Sequence, residues 1–242
     1  MIMNKLSIIS QNLNGAYTDE TIGEYKQKEK ADIYAFQELK RGNCNITDTQ
    51  ASNMQLDDFS HAKEIWEDAF PWIEFKSGYW KESSIKFSEQ EIRIINFHSS
   101  PWYSAQIRYT LLKRLNEIKK ETKFVILLGD FNAEFRGEKD QQLKGAKKQN
   151  DAFLTRIMHF GFTELLSEGE VKEHPHGTFE FKKDGKTYKK RLDHIFISKA
   201  LLDLSGDGWK FSIQYIDDVN IHLSQTKLID HSGIRLTIQT GQ

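Results

Sequence analysis

The sequence has very little cysteine. The single Cys44 among 242 residues excludes a disulfide within the chain, which is typical of proteins in a reducing compartment. No apolar run approaches the roughly 18 residues of a membrane-spanning helix, and the N-terminal stretch lacks the apolar core and the small-residue cleavage site of a signal peptide. These absences predict a cytoplasmic protein that does not enter a membrane.

The chain also lacks an excess of charge of either sign. Its 34 lysine and arginine residues nearly balance 35 aspartate and glutamate residues, for a net charge of −1. A wholly basic surface that clamps nucleic acid is therefore not indicated, although local basic patches remain open. Apolar residues make up 38% of the chain, enough for a sizeable core, and the length fits one domain over residues 1–242.

Helix-like and strand-like segments are mixed along the chain, with no internal repeat and no linker. Helical spacing of apolar residues predicts helices at 18–30, 61–70, 105–120 and 151–160. Apolar runs predict strands at 6–10, 32–38, 72–80, 84–88, 91–99, 123–132, 209–216 and 233–240. Residues 178–198 predict a hairpin around Asp184-Gly185 and a core strand, and residues 41–60 predict a long polar loop. This strand-rich pattern favours two packed sheets with helices outside.

Several predicted strands end abruptly in acids, amides or imidazole. In LLGDFN, Asp130 and Asn132 directly follow buried-looking apolar residues, where polar groups are costly unless they bind something. Active-site groups commonly lie at strand tips that a rigid sheet holds in place. The full set is Asn12, Asn14, Glu38, His98, Asp130, Asn132, Asp193, Asp230 and His231.

Each of these residues also has a purely structural interpretation. Asn12 could cap a turn, Glu38 could be a solvated strand end, and Asp130 could form an Asx turn after Gly129. Their joint recurrence in one chain favours a functional site. Carboxylates such as Glu38 and Asp230 are ligands that Mg²⁺ or Mn²⁺ prefers, and a further acid could orient a water for phosphate-ester hydrolysis. No serine or cysteine nucleophile motif and no P-loop is present.

The polar strand ends belong to six ordered segments that resemble the endonuclease/exonuclease/phosphatase superfamily, which includes deoxyribonuclease I and the apurinic endonucleases. The segments are ISQNLNG, YAFQELK, INFHSSPW, LLGDFNAEF, RLDHIFIS and IDHSGI, and they span nearly the whole chain. FHSSP followed by a helix and GDFNA is most similar to the deoxyribonuclease I branch. The resemblance implies an α/β fold of the α+β kind: a four-layer α/β sandwich, in which helices flank two packed mixed sheets.

The resemblance also implies roles for the residues that bind metal and phosphate. Glu38 binds the metal, with Asp230 beside it. Asn12 orients the site and binds phosphate, and His98 contacts the phosphate and acts as an acid toward the leaving group. These roles imply Mg²⁺, or Mn²⁺, as the cofactor.

The remaining implied roles concern the attacking water and a histidine. Asp130 positions or deprotonates the water, and Asn132 supports it. Asp193 pairs with His231 and keeps that imidazole charged toward the phosphoryl oxygens. We therefore predict that the tips of the two segments meet, with Asp193 within hydrogen-bond reach of His231. His194 is predicted to point to the opposite face, because strand side chains alternate.

Local charge suggests where a polymeric substrate would bind. Residues 182–191, KKDGKTYKKR, form a strongly basic hairpin that either contacts flanking phosphates or is simply solvated. Several aromatic residues could stack on bases or belong to the core: Tyr17, Tyr79, Trp80, Trp102 and Tyr103. The candidate substrate-binding residues are Asn14, Lys40, Arg41, Lys189, Lys190 and Arg191.

Three functions remain open for such a chain. The first is a Mg²⁺-dependent nuclease that hydrolyses DNA, or RNA, by metal-assisted in-line attack of water. The second is a phosphoesterase that acts on a small-molecule, inositol or lipid phosphate. The third is a binding or scaffold protein that kept the fold without catalysis, which the presence of every site residue disfavours. We predict the first, acting on DNA as a monomer without a protein partner.

Overall fold

The structure is a computed structural model. It describes residues 5–13, 19–39, 43–48, 54–57, 60–75, 77–100, 102–134, 146–168, 170, 177–216 and 231–241. The strands are β1 (Lys5–Asn12), β2 (Ile33–Leu39), β3 (Asn43–Asp48), β4 (Met54–Asp57), β5 (Trp80–Phe87), β6 (Gln90–His98), β7 (Val125–Asp130), β8 (Phe162–Glu164), β9 (Phe179–Lys183), β10 (Lys186–Lys190), β11 (Asp193–Ser198), β12 (Lys210–Ile216) and β13 (Gly233–Gln239). The α-helices are α1 (Asp19–Lys28), α2 (Ser60–Ala69), α3 (Ser104–Glu121), α4 (Ala146–His159) and α5 (Lys199–Asp203). Short 3₁₀ helices cover Ser77–Tyr79 and Leu204–Asp207.

The strands form two mixed sheets and a separate hairpin. One sheet has five strands in the order β12-β13-β1-β2-β3, and the other has six in the order β4-β5-β6-β7-β11-β8. The pairs β1–β2 and β6–β7 are parallel, and the other neighbours are antiparallel. The hairpin consists of β9 and β10. Its turn residues Asp184 and Gly185 have φ of 51° and 72°, as a type I′ turn requires, so the predicted hairpin is confirmed.

Side-chain alternation along the strands builds the layers. In β7, Ile126 and Leu128 point into the core between the sheets, whereas Val125 and Leu127 point to the core beneath α2, α3 and α4. On the outer face of the five-stranded sheet, Tyr25 of α1 packs against strand residues. The order of layers is helix, sheet, sheet, helix, which confirms the predicted four-layer α/β sandwich.

Two sequence predictions about local structure are wrong. Residues 41–60, predicted as a loop, contain β3 and β4, which pair with β2 and β5. Strands β3 and β4 are edge strands of the two sheets, and their sequences contain no apolar run that would predict a strand. Residues 72–80 are predicted as a strand, but the described residues of this range are not in a strand before Trp80. The chain turns at Ile73, whose carbonyl accepts a hydrogen bond from the Trp66 indole N–H at 2.8 Å.

Most helix predictions agree with the structure. The predicted helices at 18–30, 61–70 and 105–120 correspond to α1, α2 and α3, and α4 begins at Ala146, before its predicted start. The sequence does not predict β8 and α5, because three strand residues and five helix residues carry too little periodicity.

Among the described residues, no helix combines the length and the apolar character that crossing a membrane requires.

Candidate active site

Four predicted site residues meet at one edge of the two sheets. In the six-stranded sheet, His98 at the end of β6 lies opposite Asp130 at the end of β7, and Asp130 lies opposite Asp193 at the start of β11. All three continue the rows of side chains that fill the core between the sheets. Asn12, at the end of β1, faces them from the other sheet, with its Nδ2 2.9 Å from Asp130 Oδ2. We take this edge as the candidate active site.

Asp130 lies at the centre of the site and is held by several donors. Its Oδ1 accepts a hydrogen bond from the backbone N–H of Asn132 at 2.8 Å, and Oδ2 accepts from Asn12 Nδ2 at 2.9 Å and Asn132 Nδ2 at 3.2 Å. Burial raises the pKa of Asp130, and the nearby charge of Asp193 raises it further. The result is a fixed carboxylate that takes up a proton more readily than an exposed aspartate.

The backbone around Asp130 explains the GDFN sequence. Gly129 has a φ of 132°, and a Cβ at this position would lie 2.0 Å from the Phe97 carbonyl oxygen. Only glycine therefore allows β6 and β7 to pair so closely beside the site. Asn132 has a φ of 45°, in the left-handed region that asparagine tolerates better than most residues. Its N–H closes an Asx turn on Asp130.

Arg108 of α3 fixes the loop after Asp130 from the other side. Its Nη2 donates to the carbonyl oxygens of Phe131 at 3.2 Å and Asn132 at 2.9 Å, and its Nε donates to Ser99 Oγ at 3.1 Å. The Ser99 carbonyl accepts from Asn132 Nδ2 at 2.9 Å. Arg108 is not among the residues predicted from the sequence, although its place in the helix that follows HSSP could have indicated it. These hydrogen bonds make Arg108 a positioning residue for the loop.

Glu38 reaches the site from a distorted strand end. The pairing of β2 with β3 shifts register between Phe36 and Leu39, and Glu38 has a φ of 50°. Such a bulge redirects a side chain, here toward the site. Its Oε1 lies 3.2 Å from Asn12 Nδ2 and 3.1 Å from His98 Nε2. The interaction with His98 lowers the pKa of Glu38 to about 2, against the opposing effect of burial.

His98 is buried, with 3% of its surface exposed, and is not fully satisfied by the residues that the structure describes. Its Nε2 is close to Glu38, but neither ring nitrogen makes a well-aligned hydrogen bond within that part of the chain. The edge of the Tyr79 ring packs on the imidazole, with the centroids 5.7 Å apart. A buried imidazole of this kind is suited to a polar ligand that brings its own acceptors.

Asp193 and His231 form the predicted pair. The Nδ1 of His231 lies 2.8 Å from Asp193 Oδ2, which confirms that the two distant segments meet. Thr178 organises both sides of the pair, since its Oγ1 accepts from the N–H of Asp193 at 3.0 Å and its carbonyl accepts from the N–H of Ser232. Thr178 is a positioning residue that the sequence does not predict, because nothing in HGTF distinguishes it from a loop threonine.

His194 points away from the site, as predicted. It is fully buried beneath the helices, with its ring against Phe131 and Phe196. Its Nδ1 lies 2.6 Å from Glu164 Oε1, and its Nε2 lies 2.8 Å from the Ala133 carbonyl oxygen. Strand β11 therefore presents one histidine–carboxylate pair to the site and another to the core.

The described residues contain two groups that could hold a cation. Glu38, His98 and Asp130 each offer one ligand atom within 4.8 Å of the others, and so do Asp130, Asp193 and His231. The first group suits a hard divalent cation better, because Glu38 is ionised and its side chain is 30% exposed at the mouth of the site. In the second group, His231 and Asp193 are already bonded to each other.

Four predicted site residues lie outside the described residues: Asn14, Lys40, Arg41 and Asp230. In the basic hairpin, Lys189 is exposed and lies 3.5 Å from Glu180, and Lys190 lies over the Phe181 ring. The side chain of Lys182 also lies outside the described part of the chain. The exposed lysines leave the predicted phosphate-binding role open.

Arg191, predicted to bind substrate, does not lie on the surface of the hairpin but is buried. Its guanidinium is 2% exposed, pairs with Glu164 at 3.1 Å and with Glu170, and lies over the Tyr215 ring. Buried charges are retained in proteins when they are paired in this way. In the sequence, Arg191 is indistinguishable from the solvated lysines before it, so the local pattern predicts a surface position for its charge.

The comparisons with known proteins concern the fold. No model of a protein family matches the chain, and no curated protein matches it. The endonuclease domain of TRAS1, a telomere-specific non-LTR retrotransposon, is 19% identical, with a TM-score of 0.65 over 98% of this chain and 100% of that one. The 3′ phosphatase NExo from Neisseria, bound to a product DNA hairpin, is 13% identical, with a TM-score of 0.67 over 98% of this chain and 100% of that one.

A third structure bears the name of the superfamily. An endonuclease/exonuclease/phosphatase from Beutenbergia cavernae is 11% identical, with a TM-score of 0.60 over 99% of this chain and 72% of that one. All three matches cover nearly the whole of this chain, including both mixed sheets and their flanking helices. The resemblance inferred from the six sequence segments is thereby confirmed for the fold. The chain therefore shares its fold with these three structures, among them an endonuclease/exonuclease/phosphatase.

Proposed function

We propose that this chain is a divalent-metal-dependent phosphodiesterase that hydrolyses nucleic acid, with DNA as its substrate. The observation that carries the proposal is that His98, Asp130 and Asp193 lie side by side on three neighbouring strands. Asn12 is hydrogen-bonded to Asp130, and His231 is hydrogen-bonded to Asp193. Two of the similar structures support the choice of substrate, since one is an endonuclease domain and another is bound to a product DNA hairpin. The proposal includes a cytoplasmic, monomeric enzyme.

The metal would be held by Glu38 together with Asp230. Glu38 supplies an ionised carboxylate at the mouth of the site, and Mg²⁺ or Mn²⁺ takes such oxygen ligands and keeps several waters. When bound, the cation supplies positive charge for the phosphate and the departing oxygen. The donor set contains no cysteine and has carboxylates at its centre, so it does not resemble a structural zinc site.

Asp130 would orient the attacking water and accept its proton. Asn12 and Asn132 hold the carboxylate by three hydrogen bonds, which fixes the direction of its lone pairs. The raised pKa of Asp130 brings its proton affinity closer to that needed by a general base at neutral pH. The hydrogen bonds from Arg108 keep the loop from moving as the charge redistributes.

The two histidines at the edge would stabilise the phosphoryl oxygens and the leaving group. Asp193 fixes the His231 ring through Nδ1, so the opposite ring nitrogen points away from Asp193. A carboxylate partner favours the charged imidazolium, which stabilises negative charge as it develops on the phosphate. His98, two strands away, has ring nitrogens suited to a phosphate oxygen or to the leaving oxygen.

The exposed basic hairpin supports a polymeric substrate over a small phosphate ester. Lys183, Lys186 and Lys189 lie on the surface of β9 and β10, just before the strand that carries Asp193. Lysines next to a site can neutralise phosphates that flank the scissile one. A small ester with a single phosphate group offers no such flanking charges.

Incubation with a panel of substrates tests the proposed function. Plasmid DNA, single-stranded DNA, RNA and bis(p-nitrophenyl) phosphate are each incubated with the protein in Mg²⁺ or in EDTA. We expect cleavage of DNA in Mg²⁺ and none in EDTA. Asp130→Asn is the matched control, since it keeps the side-chain volume and should abolish cleavage. Turnover in excess chelator, or hydrolysis of the small ester alone, would overturn the proposal.

A further inference from the structure

Trp102 stands out among the large apolar side chains because it is 86% exposed. It lies four residues after His98 and just before α3. An isolated exposed apolar residue needs no special explanation, but a tryptophan that exposes nearly its whole indole beside a polar site is a candidate binding surface for a ligand. The rest of this aromatic neighbourhood is partly or fully buried.

Hydrogen bonds link Trp102 to the residues that directly follow His98. The N–H of Ser99 donates to the Asp130 carbonyl at 2.8 Å, and the N–H of Ser100 donates to the His98 carbonyl at 3.1 Å. The N–H of Trp102 then donates to Ser100 Oγ at 3.3 Å. These hydrogen bonds link the backbone N–H of Trp102, through Ser100, to the strand end that carries His98.

The residue after Trp102, Tyr103, packs against other aromatic rings. Tyr103 packs against Trp66 of α2 with centroids 6.2 Å apart, and against Tyr79 at 6.3 Å. Tyr79 in turn packs against His98. Trp102 therefore directly precedes a tyrosine whose ring is packed against other aromatic rings, whereas the Trp102 ring itself is exposed.

We propose that Trp102 is a stacking platform for the nucleobase next to the scissile phosphate. Every base has a flat π-face, so stacking on an exposed indole is tolerant of sequence but requires that the base be unstacked from its neighbours. The inference rests on the proposed function and narrows the substrate to single-stranded or locally opened nucleic acid. It also explains how the site could hold a substrate without a wholly basic surface.

Trp72 offers a matched control. It is 77% exposed and lies in the turn after α2, where its ring packs against Phe70. Phe70 packs in turn on Tyr109 of α3. Trp72 has the same chemistry as Trp102 and a similar exposure, but it is anchored on these rings and follows a helix instead of a strand that ends in the site. Trp72→Ala therefore reports what the removal of any surface indole does.

The test combines these variants with substrates that lack one base. Each variant is made in an Asp130→Asn background, and its binding to a labelled single-stranded oligonucleotide is measured in Mg²⁺. An abasic nucleotide is placed in turn at each position around the scissile phosphate. We expect Trp102→Ala to weaken binding roughly tenfold and Trp72→Ala to change it little. When Trp102 is present, the abasic nucleotide at the stacking position should weaken binding as much as Trp102→Ala does. In Trp102→Ala, the same abasic nucleotide should weaken binding no further.

The outcomes separate this inference from the proposed function. The stacking role would be overturned, with the proposed nuclease activity unaffected, by either of two results. One is that Trp102→Ala and Trp72→Ala bind the oligonucleotide equally well. The other is that, at every abasic position, the loss of affinity from the abasic nucleotide multiplies with the loss from Trp102→Ala. Failure of the unsubstituted protein to cleave any nucleic acid in Mg²⁺ would overturn both. Trp102→Phe keeps a smaller ring and should recover most of the binding, which a general disturbance of the fold would not allow.

Discussion

Strand β11 carries two histidine–carboxylate pairs, one on each face. At the front, Asp193 bonds His231 at 2.8 Å, beside Asp130. At the back, His194 lies 2.6 Å from Glu164. The two pairs have similar distances, and Asp193 and His194 are adjacent in sequence, yet the surroundings of the pairs differ.

The different surroundings of the two pairs predict different roles for them, despite their similar histidine–carboxylate distances. His231 is 8% exposed at the mouth of the site, whereas His194 is fully buried and has both ring nitrogens engaged. Glu164 also pairs with Arg191, which balances charge within the core. We infer that the front pair serves chemistry and that the back pair stabilises β11 and the residues after Asp130.

In the comparison of the two pairs, the largest expected effect comes from the front pair. Asp193→Asn keeps the volume of the side chain but removes the charge that favours imidazolium at His231. We expect kcat on an oligonucleotide to fall by about 100-fold or more, with an unchanged thermal unfolding profile. His194→Ala, measured on the folded protein, should cost much less activity. Equal losses in the two variants would break the distinction between the two faces.

The back pair should dominate stability instead. His194→Ala removes one partner of a buried pair and leaves the Ala133 carbonyl without its imidazole partner. We expect the free energy of unfolding to fall by about 3 kcal/mol, since breaking a buried pair leaves a polar group uncompensated. Urea denaturation measures this directly. A stability equal to that of the unsubstituted protein would show that the buried network contributes nothing.

A smaller effect is expected from the basic hairpin, which sharpens the contrast between exposed and buried charge. Lysines at 182, 183, 186, 189 and 190 are replaced by alanine, and Arg191 is kept because it is buried. Polynucleotide binding should weaken, and its salt dependence should flatten by about one unit of slope for each lysine–phosphate interaction that the substitutions remove. The effect on DNA should exceed that on bis(p-nitrophenyl) phosphate. Equal effects on both substrates would indicate damage to the fold.

Sequence patterns were sufficient to predict the edge of the sheets where the site lies. Asp130, His98 and Asp193 follow or begin apolar strands, and strand side chains alternate, so their faces could be inferred from the sequence. The strand-rich pattern predicted two packed sheets with helices outside, and the family resemblance of the six ordered segments implied the four-layer sandwich. The pairing of Asp193 with His231 required the resemblance as well, because no local pattern links segments so far apart.

The rest could not be predicted, for physical reasons. A short, polar strand such as β3 has too few apolar residues in its sequence to show a period. The sequence around Arg191 and Glu164 is that of surface charges, and only the folded structure shows that the two side chains are buried and paired. The exposure of Trp102 is equally invisible, because a tryptophan in sequence resembles a core residue. Each miss concerns a residue whose environment is decided by distant parts of the chain.

The central claim, that Asp193 and His231 act as one catalytic unit, is tested most directly by a double-mutant cycle. The kcat of Asp193→Asn, of His231→Ala and of the double variant is measured on one oligonucleotide in Mg²⁺. Residues that act as a unit are strongly non-additive, so the double variant should be about as slow as the slower single variant. Losses that multiply in the double variant would contradict the account.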